Sequence, residues 1–229
     1  MKIISISVYG TQDRYIVGAK RQIELARRFL GDWTIRIYTD NPANFPSMSN
    51  LEVIEVKDSS FGMFWRFRPM FEHPDNIVLV RDSDSRFTMR EVLCINEWLN
   101  SPGSLHVIRD HQAHYEWPII GTLFGYKGQL PSLLADSMVD QQQHHFYTSD
   151  QIWLRDHLWP FAKNTSLVHC MQTTPWFKHL RSKLKNPFDF CGNGWTENDL
   201  PIYPPSLESH WNNITIDANK FSHGEWHNG

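Results

Sequence analysis

Two carboxylates stand two residues apart directly after an apolar run. The run is Ile77 to Val80, and Arg81, Asp82, Ser83 and Asp84 follow it. At the end of a strand, carboxylates at positions i and i+2 can reach one cation, and hard oxygen ligands favour Mg²⁺ or Mn²⁺. Such an ion acts as a Lewis acid on negative charge that develops at a phosphate leaving group. Asp-x-Asp alone is a weak pattern, but its position after an apolar strand predicts a metal and diphosphate site.

The elements around this triplet indicate how it is positioned. Apolar patterns predict six strands and three helices. The strands are 2–8, 34–38, 51–56, 77–80, 105–108 and 167–170, and the helices are 15–30, 89–99 and 150–158. The strand–helix alternation in the first third predicts a largely parallel sheet with ligands at the carboxyl ends of its strands. The fold class is therefore predicted to be α/β, with a mixed, mostly parallel sheet flanked by helices.

Length and composition narrow the class of protein. The chain has 229 residues, 41% hydrophobic and 21% charged, without repeats or linkers, which predicts a single domain over 1–229. The residues after about 205 are predicted to form a C-terminal loop or tail. A net charge of -3 gives no electrostatic footprint for nucleic acid, so no nucleic-acid partner is expected.

Cysteine use and hydropathy indicate the compartment. The three cysteines, Cys94, Cys170 and Cys191, form neither a disulfide framework nor a C-x-x-C motif, which favours a reducing environment. The N-terminus lacks a signal-peptide core, and no 18-residue apolar run occurs. The sequence therefore predicts a cytoplasmic protein without a transmembrane segment.

Motifs in the same order along the chain resemble the GT-A glycosyltransferases, especially small D-x-D enzymes of bacterial and viral glycan-building systems. The motifs are 7–10, 38–40, 64–67, 81–86, 108–111, 120–125, 149–154 and 167–169, and the likeness covers roughly residues 1 to 205. The resemblance implies a GT-A, Rossmann-like sheet and a hexosyltransferase of polysaccharide biosynthesis. It implies transfer from a nucleotide-sugar donor, with UDP favoured, to a hydroxyl of a carbohydrate or glycoconjugate acceptor, assisted by Mn²⁺ or Mg²⁺.

The same resemblance assigns residues to the donor. Ser7, Val8 and Tyr9, in the loop after the first strand, and Asp40 would hold the base and ribose. Arg66 would meet the diphosphate or base, since its planar fork suits phosphate oxygens. The alternative for Arg66 is a salt bridge beside an aromatic patch.

A metal site is implied at the triplet. Asp82 and Ser83 would bind the donor, and Asp82 and Asp84 would ligate the metal, with Asp84 binding more directly. His169, at the end of the last strand, would be a third ligand and would favour manganese. A histidine satisfied within the core is the alternative, and Cys170 stands where relatives often carry an acidic residue.

Two aspartates are candidates for catalysis. Asp150 would deprotonate or position the acceptor hydroxyl, although aspartate is also a favoured residue at a helix start. Asp110 would hydrogen-bond the transferred sugar, or simply lie in a loop. Gly121 would let the backbone approach the sugar closely.

Two other functions also fit parts of the pattern. A phosphatase of the haloacid dehalogenase type would use Asp82 as a nucleophile, but such enzymes carry the nucleophile near the N-terminus. A non-catalytic sugar-binding module on the same fold would account for the ten tryptophans.

Overall fold

The computed structural model describes residues 1–170 and 190–203 and the backbone of residues 225–226. The strands are β1 (Lys2–Val8), β2 (Thr34–Thr39), β3 (Leu51–Glu55), β4 (Ile77–Arg81), β5 (Leu105–Arg109), β6 (Phe124–Lys127), β7 (Ser166–Cys170) and β8 (Glu225–Trp226). The α-helices are α1 (Asp13–Phe29), α2 (Met89–Asn100), α3 (Ser132–Gln142), α4 (Ser149–Trp153) and α5 (Trp159–Ala162). A π-helical turn, Leu154–Leu158, joins α4 to α5, and 3₁₀ helices form at Pro42–Asn44, Gly62–Phe71, Gln112–Glu116 and Lys163–Thr165. Within these described residues, no helix is both long enough and apolar enough to cross a bilayer.

All the described strands belong to one sheet, in the order β3-β2-β1-β4-β6-β5-β7-β8. β6 runs antiparallel to β4 and β5, and the other neighbouring pairs are parallel. The prediction of an α/β fold with a mixed, mostly parallel sheet is therefore confirmed. Because β2 and β4 flank β1 on opposite sides, strand order reverses there, and open α/β sheets bind ligands at such a switch point.

Hydrophobic side chains cover both faces of this sheet. One cluster joins alternate residues of β1 to α1 and α2, and the other joins β4, β5 and β6 to the Gly62–Phe71 helix and α4. Side chains alternate between faces along a strand. The alternation therefore decides which residues at the strand ends face the Gly62–Phe71 helix.

The predicted elements are present, and the strands and α-helices added to them are β6, β8, α3 and α5. Each predicted strand lies within two residues of an observed strand, and the predicted helix 150–158 corresponds to α4 and the π turn. β6 and α3 were not predicted, because β6 has only four residues and α3 buries only Leu134 and Met138. In the range predicted as a tail, the structure describes only Glu225–Trp226, which pair with β7.

Candidate active site

A cavity of about 380 Å³ opens at the carboxyl ends of β1 and β4. Loops after both strands line it, together with parts of segments 111–122, 147–151 and 192–203. The acidic and guanidinium side chains among its described lining residues are Arg14, Arg66, Asp82, Asp84, Glu116 and Asp150. Four carboxylates and two guanidinium groups give this part of the wall a formal charge of about -2, which complements a divalent cation.

Arg66 lies between two of these carboxylates. Its Nη1 donates to Asp82 Oδ1, and its Nη2 donates to Asp150 Oδ2 at 2.7 Å. The backbone N–H of Arg66 donates to Ser7 Oγ at 2.9 Å, which fixes the Gly62–Phe71 helix against the end of β1. Burial raises the pKa of Asp150, and the positive charge of Arg66 opposes that shift. The two carboxylates are therefore held on one guanidinium fork at the cavity wall.

Arg14 of α1 contacts the other carboxylate of the triplet. Its Nε donates to Asp84 Oδ2 at 2.7 Å, and its Nη2 donates to the same oxygen. The Arg14 side chain is 35% exposed, whereas that of Asp84 is 7% exposed. Burial and the charge of Asp82 raise the pKa of Asp84, and Arg14 opposes the shift. A cation beside this carboxylate therefore favours its ionised form.

Helix α1 also fixes the turn that carries the triplet. A Cβ at Gly18 would lie 2.7 Å from the carbonyl oxygen of Ser83, so glycine allows the helix to approach this closely. One turn later, the Gln22 side chain donates to Ser85 Oγ at 3.0 Å and accepts from the Phe87 N–H at 3.0 Å. Because Gln22 is fully buried, both bonds hold the turn in one position.

Gly121 lies beside the contact between Asp150 and Arg66. A Cβ at Gly121 would lie 2.6 Å from Asp150 Oδ2 and 3.1 Å from Arg66 Nη2. The other carboxylate oxygen, Asp150 Oδ1, accepts from the Gln151 N–H at 2.8 Å, which limits the movement of the side chain. The sequence predicts that Gly121 lets the backbone approach the sugar closely. In the structure, the groups that lie closest to its missing Cβ belong to this ion pair.

The residues predicted to hold the base and ribose separate into two groups. Ser7 and Tyr9 line the cavity, and the Tyr9 ring packs edge-on against Trp65 at a centroid distance of 5.7 Å. Val8 lies in the core on the α1 side, because alternation along β1 turns it away from Ser7. Asp40 is exposed and accepts from the Gly10 N–H at 2.9 Å, so it shapes the loop after β1 from outside the cavity.

The structure does not place Asp110 at the cavity, where the sequence predicts a contact with the sugar. Asp110 is fully buried, and both carboxylate oxygens accept from the Arg90 guanidinium. Its Oδ2 also accepts from the Cys191 N–H at 3.2 Å. Asp110 therefore joins α2 to the segment 190–203 and has no exposed surface at which a sugar could bind.

His169 is also separate from the triplet, where the sequence predicts a third metal ligand. Its Nδ1 lies 2.9 Å from His106 Nε2, and its Nε2 lies 3.2 Å from Glu97 Oε2. β6 and β5 lie between β4 and β7, so β7 is three strand spacings, about 14 Å, from β4. The insertion of β6 thus puts His169 too far from Asp84 to share one ion.

Comparisons with known proteins concern the fold. No family model matches the chain, and no curated protein matches it. A similar solved structure is a glycosyltransferase involved in glycosylation of the major capsid of PBCV-1, with 16% identity, TM-score 0.46, and coverage of 75% of this chain and 82% of that chain. Another is the galactosyltransferase LgtC in complex with donor and acceptor sugar analogs, with 13% identity, TM-score 0.46, and coverage of 90% and 85%.

A third similar structure is a putative glucose-1-phosphate thymidylyltransferase from Bacillus anthracis in complex with a sucrose. It has 11% identity and a TM-score of 0.42, and covers 74% of this chain and 86% of that chain. Glycosyltransferases are thus among the solved structures similar to this chain. At these identities and TM-scores the likeness says nothing about substrate, so function is inferred from the cavity itself.

Arg14 was not identified from the sequence. It lies in the first turn of α1, just before the stretch 15–30 that was predicted as a helix. The segment 190–203 also reaches the triplet, since its Trp195 N–H donates to the carbonyl oxygen of Asp84 at 2.9 Å. A signal for Arg14 was present, since a basic residue in the first turn of a helix opposes the helix dipole and is unusual there.

Proposed function

We propose that the protein is a metal-dependent glycosyltransferase, of the hexosyltransferase type, in polysaccharide biosynthesis. The donor is a nucleoside diphosphate sugar, with UDP favoured, and the acceptor is a hydroxyl of a carbohydrate or glycoconjugate. One observation carries the proposal: Asp82 and Asp84 line a cavity at the switch point of the sheet, and each is held by an arginine. A site for a sugar diphosphate needs carboxylates that bind a divalent cation and guanidinium groups that bind the phosphates.

The charged groups of the cavity fit a hard divalent cation. Asp82 and Asp84 offer carboxylate oxygens, and the formal charge of this wall matches Mn²⁺ or Mg²⁺. Within residues 1–170 and 190–203, no group of three or more His, Cys, Asp or Glu side chains is arranged to hold a metal. The pair alone suits an ion that keeps water and substrate phosphate oxygens as its other ligands. When bound, such an ion stabilises negative charge on the departing diphosphate.

Arg66, Ser7 and Tyr9 support donor binding. The fork of Arg66 already spans Asp82 and Asp150, and the same geometry is suited to two phosphate oxygens. Tyr9 is 38% exposed, and its ring lines the cavity beside Ser7. A flat ring of this kind offers a nucleobase a stacking surface, which supports binding of the nucleoside at the β1 end of the cavity.

Asp150 is assigned to the acceptor hydroxyl, which it orients and whose proton it takes up. It lines the cavity, and burial gives it a raised pKa, which suits a carboxylate that must accept a proton. Arg66 holds it in one orientation at 2.7 Å. The proposed location is cytoplasmic, which the three buried cysteines support.

The test is binding and turnover of nucleotide sugars with and without Mn²⁺. We expect UDP to bind in the presence of Mn²⁺, and Asp82→Asn and Asp84→Asn each to reduce metal-dependent donor hydrolysis or transfer about 100-fold or more. Asp75→Asn is the control, because that side chain is 84% exposed and lies away from the cavity. Hydrolysis of a generic phosphate ester without any affinity for nucleotide sugars would instead indicate a phosphatase. Binding of sugar without metal-dependent donor affinity would indicate a binding module.

A further inference from the structure

Arg14 has no role in the chemistry above, although it lines the cavity and contacts a proposed metal ligand. We propose that Arg14 exchanges partners when the donor binds. In the free protein it pairs with Asp84, and in the donor complex it binds a phosphate group while a divalent cation takes its place at Asp84. This inference rests on the proposed function and adds a second phosphate-binding arginine to it.

The contacts of Arg14 allow such an exchange. Both of its hydrogen bonds go to one oxygen of one carboxylate, Asp84 Oδ2, and within the described residues it has no other ion pair. Its guanidinium carbon lies 5.2 Å from the centre of the half-buried Tyr15 ring, a contact that adds no hydrogen bond to the fork. Arg66 differs, since two carboxylates hold it and only 8% of its side chain is exposed. Arg14 is therefore the arginine of the cavity that can leave its partner.

Charge balance gives the exchange a driving force. A divalent ion bound to Asp84 would lie close to a guanidinium that donates to the same carboxylate, and two like charges at that distance repel. A diphosphate brings negative oxygens into the same cavity, and the planar guanidinium matches them with paired hydrogen bonds. Entry of the cation therefore releases Arg14, and entry of the diphosphate gives it a new partner.

The exchange makes metal and diphosphate binding interdependent. A metal ion that binds alone must separate Arg14 from Asp84 without compensation, so its affinity is low. With diphosphate present, the freed arginine regains a partner, so each ligand raises the affinity for the other by the same factor. Without Arg14, the ion meets no competing cation at Asp84, and the diphosphate loses one partner. Loss of Arg14 should thus shift the two affinities in opposite directions.

Calorimetry on the full chain tests this with Mn²⁺ alone and with UDP at saturating Mn²⁺. For R14Q we expect Mn²⁺ alone to bind about threefold more tightly and UDP with Mn²⁺ to bind about tenfold more weakly than for the wild type. R14K keeps the charge without the fork and should give UDP an intermediate affinity. R28Q is the matched control, because Arg28 is an exposed arginine of the same helix whose guanidinium lies over the Phe29 ring.

The result separates this inference from the proposed function. If the wild type binds UDP with Mn²⁺ and R14Q equals R28Q in both titrations, the exchange is refuted and the proposed function stands. Weaker binding of Mn²⁺ alone to R14Q also refutes the exchange, because it would make Arg14 a support for the metal site. If the wild type itself binds no UDP with Mn²⁺, both proposals fail.

Discussion

The molecule contains two kinds of arginine–carboxylate pairs, which share chemistry and differ in access. Arg66 with Asp82 and Asp150, and Arg14 with Asp84, open onto the cavity. A ligand that enters the cavity can reach both sets of pairs. Two carboxylates hold Arg66, so the Arg14–Asp84 pair is the one that can be exchanged for bonds to a substrate.

The other pairs are closed, which means that they lie within the fold and away from the cavity. Arg81 and Glu91 are 0% and 1% exposed, and the Arg81 Nη1 also donates to the carbonyl oxygens of Val80 and Phe124. Arg90 and Asp110 are 3% and 0% exposed. Burial raises the pKa of Glu91, and the charge of Arg81 opposes the shift. Since no ligand can reach them, these pairs fix α2 against the sheet, and the comparison shows that access separates a reactive pair from a structural one.

The largest expected effect is a loss of stability when the closed Arg90–Asp110 pair is broken. Asp110→Asn removes the buried carboxylate that accepts from the Arg90 guanidinium, which should lower the free energy of unfolding by about 3–5 kcal/mol. Asp199→Asn is the control, because Asp199 is 50% exposed in its pair with Arg86 and should cost about 1 kcal/mol or less. Urea denaturation measures both. If instead the Asp110 variant kept wild-type stability and lost turnover, Asp110 would belong with the open pairs.

A smaller effect is expected at the contact between Gly121 and the open pair. Gly121→Ala places a Cβ 2.6 Å from Asp150 Oδ2, so the carboxylate must shift. We expect a loss of about 1–3 kcal/mol in unfolding free energy and a loss of turnover approaching 100-fold. A double-mutant cycle with Asp150→Ala tests whether contact with the Asp150 carboxylate causes the loss of stability. The stability cost of Gly121→Ala should fall in the Asp150→Ala background, and equal costs in both backgrounds would contradict steric contact with this carboxylate.

The smallest expected effect concerns His114 at the edge of the cavity. Burial lowers its pKa to about 3, and its Nδ1 accepts from the N–H groups of Asp110 and His111 at 3.1 and 3.2 Å. A histidine whose pKa is depressed by folding contributes stability that is present above its unfolded pKa and is lost as pH falls toward its folded pKa.

Between pH 6 and pH 5, His114 should therefore reduce the free energy of unfolding by about 1 kcal/mol. His114→Asn should remove this part of the pH dependence. His73→Asn should leave it in place, because His73 is exposed and lies before β4, at the end of the strand away from the cavity. Urea titrations at both pH values compare the three proteins. If the free energy of unfolding changed equally with pH in His114→Asn and in the wild type, His114 would already be protonated in the folded state.

Local patterns in the sequence were enough to predict most of the sheet and one side of the site. The strand before Asp82, the end of β1 at Ser7 and the first turn of α4 at Asp150 were each predicted from the sequence around them. The strand ends meet because parallel strands place their carboxyl ends at one edge. Arg66 was identified through the family resemblance, whose motifs include residues 64–67.

The remaining parts of the site depend on contacts that no local pattern encodes. The position of His169 follows from β6, which inserts between β4 and β5 and moves β7 away from the triplet. Ser7 lines the cavity and Val8 lies in the core, because successive residues of β1 point to opposite faces of the sheet. Arg14 meets Asp84 across 70 residues of chain, and neither neighbourhood alone indicates the pairing. The order of the strands and the face to which each side chain points thus determine the parts of the site that the sequence did not predict.

The long separations within the cavity also bear on how the protein folds. Arg66 meets Asp150 across 84 residues, and the Asp84 carbonyl accepts from Trp195, so the cavity closes only after distant parts of the chain have met. Loops of this length are slow to close, because their entropy is lost before their contacts form. During synthesis, the parallel strands β1 to β4 are complete long before Asp150 leaves the ribosome. A nascent or truncated chain ending near residue 130 would carry the whole Asp82–Asp84 turn and still lack the cavity lining that 147–151 and 192–203 contribute.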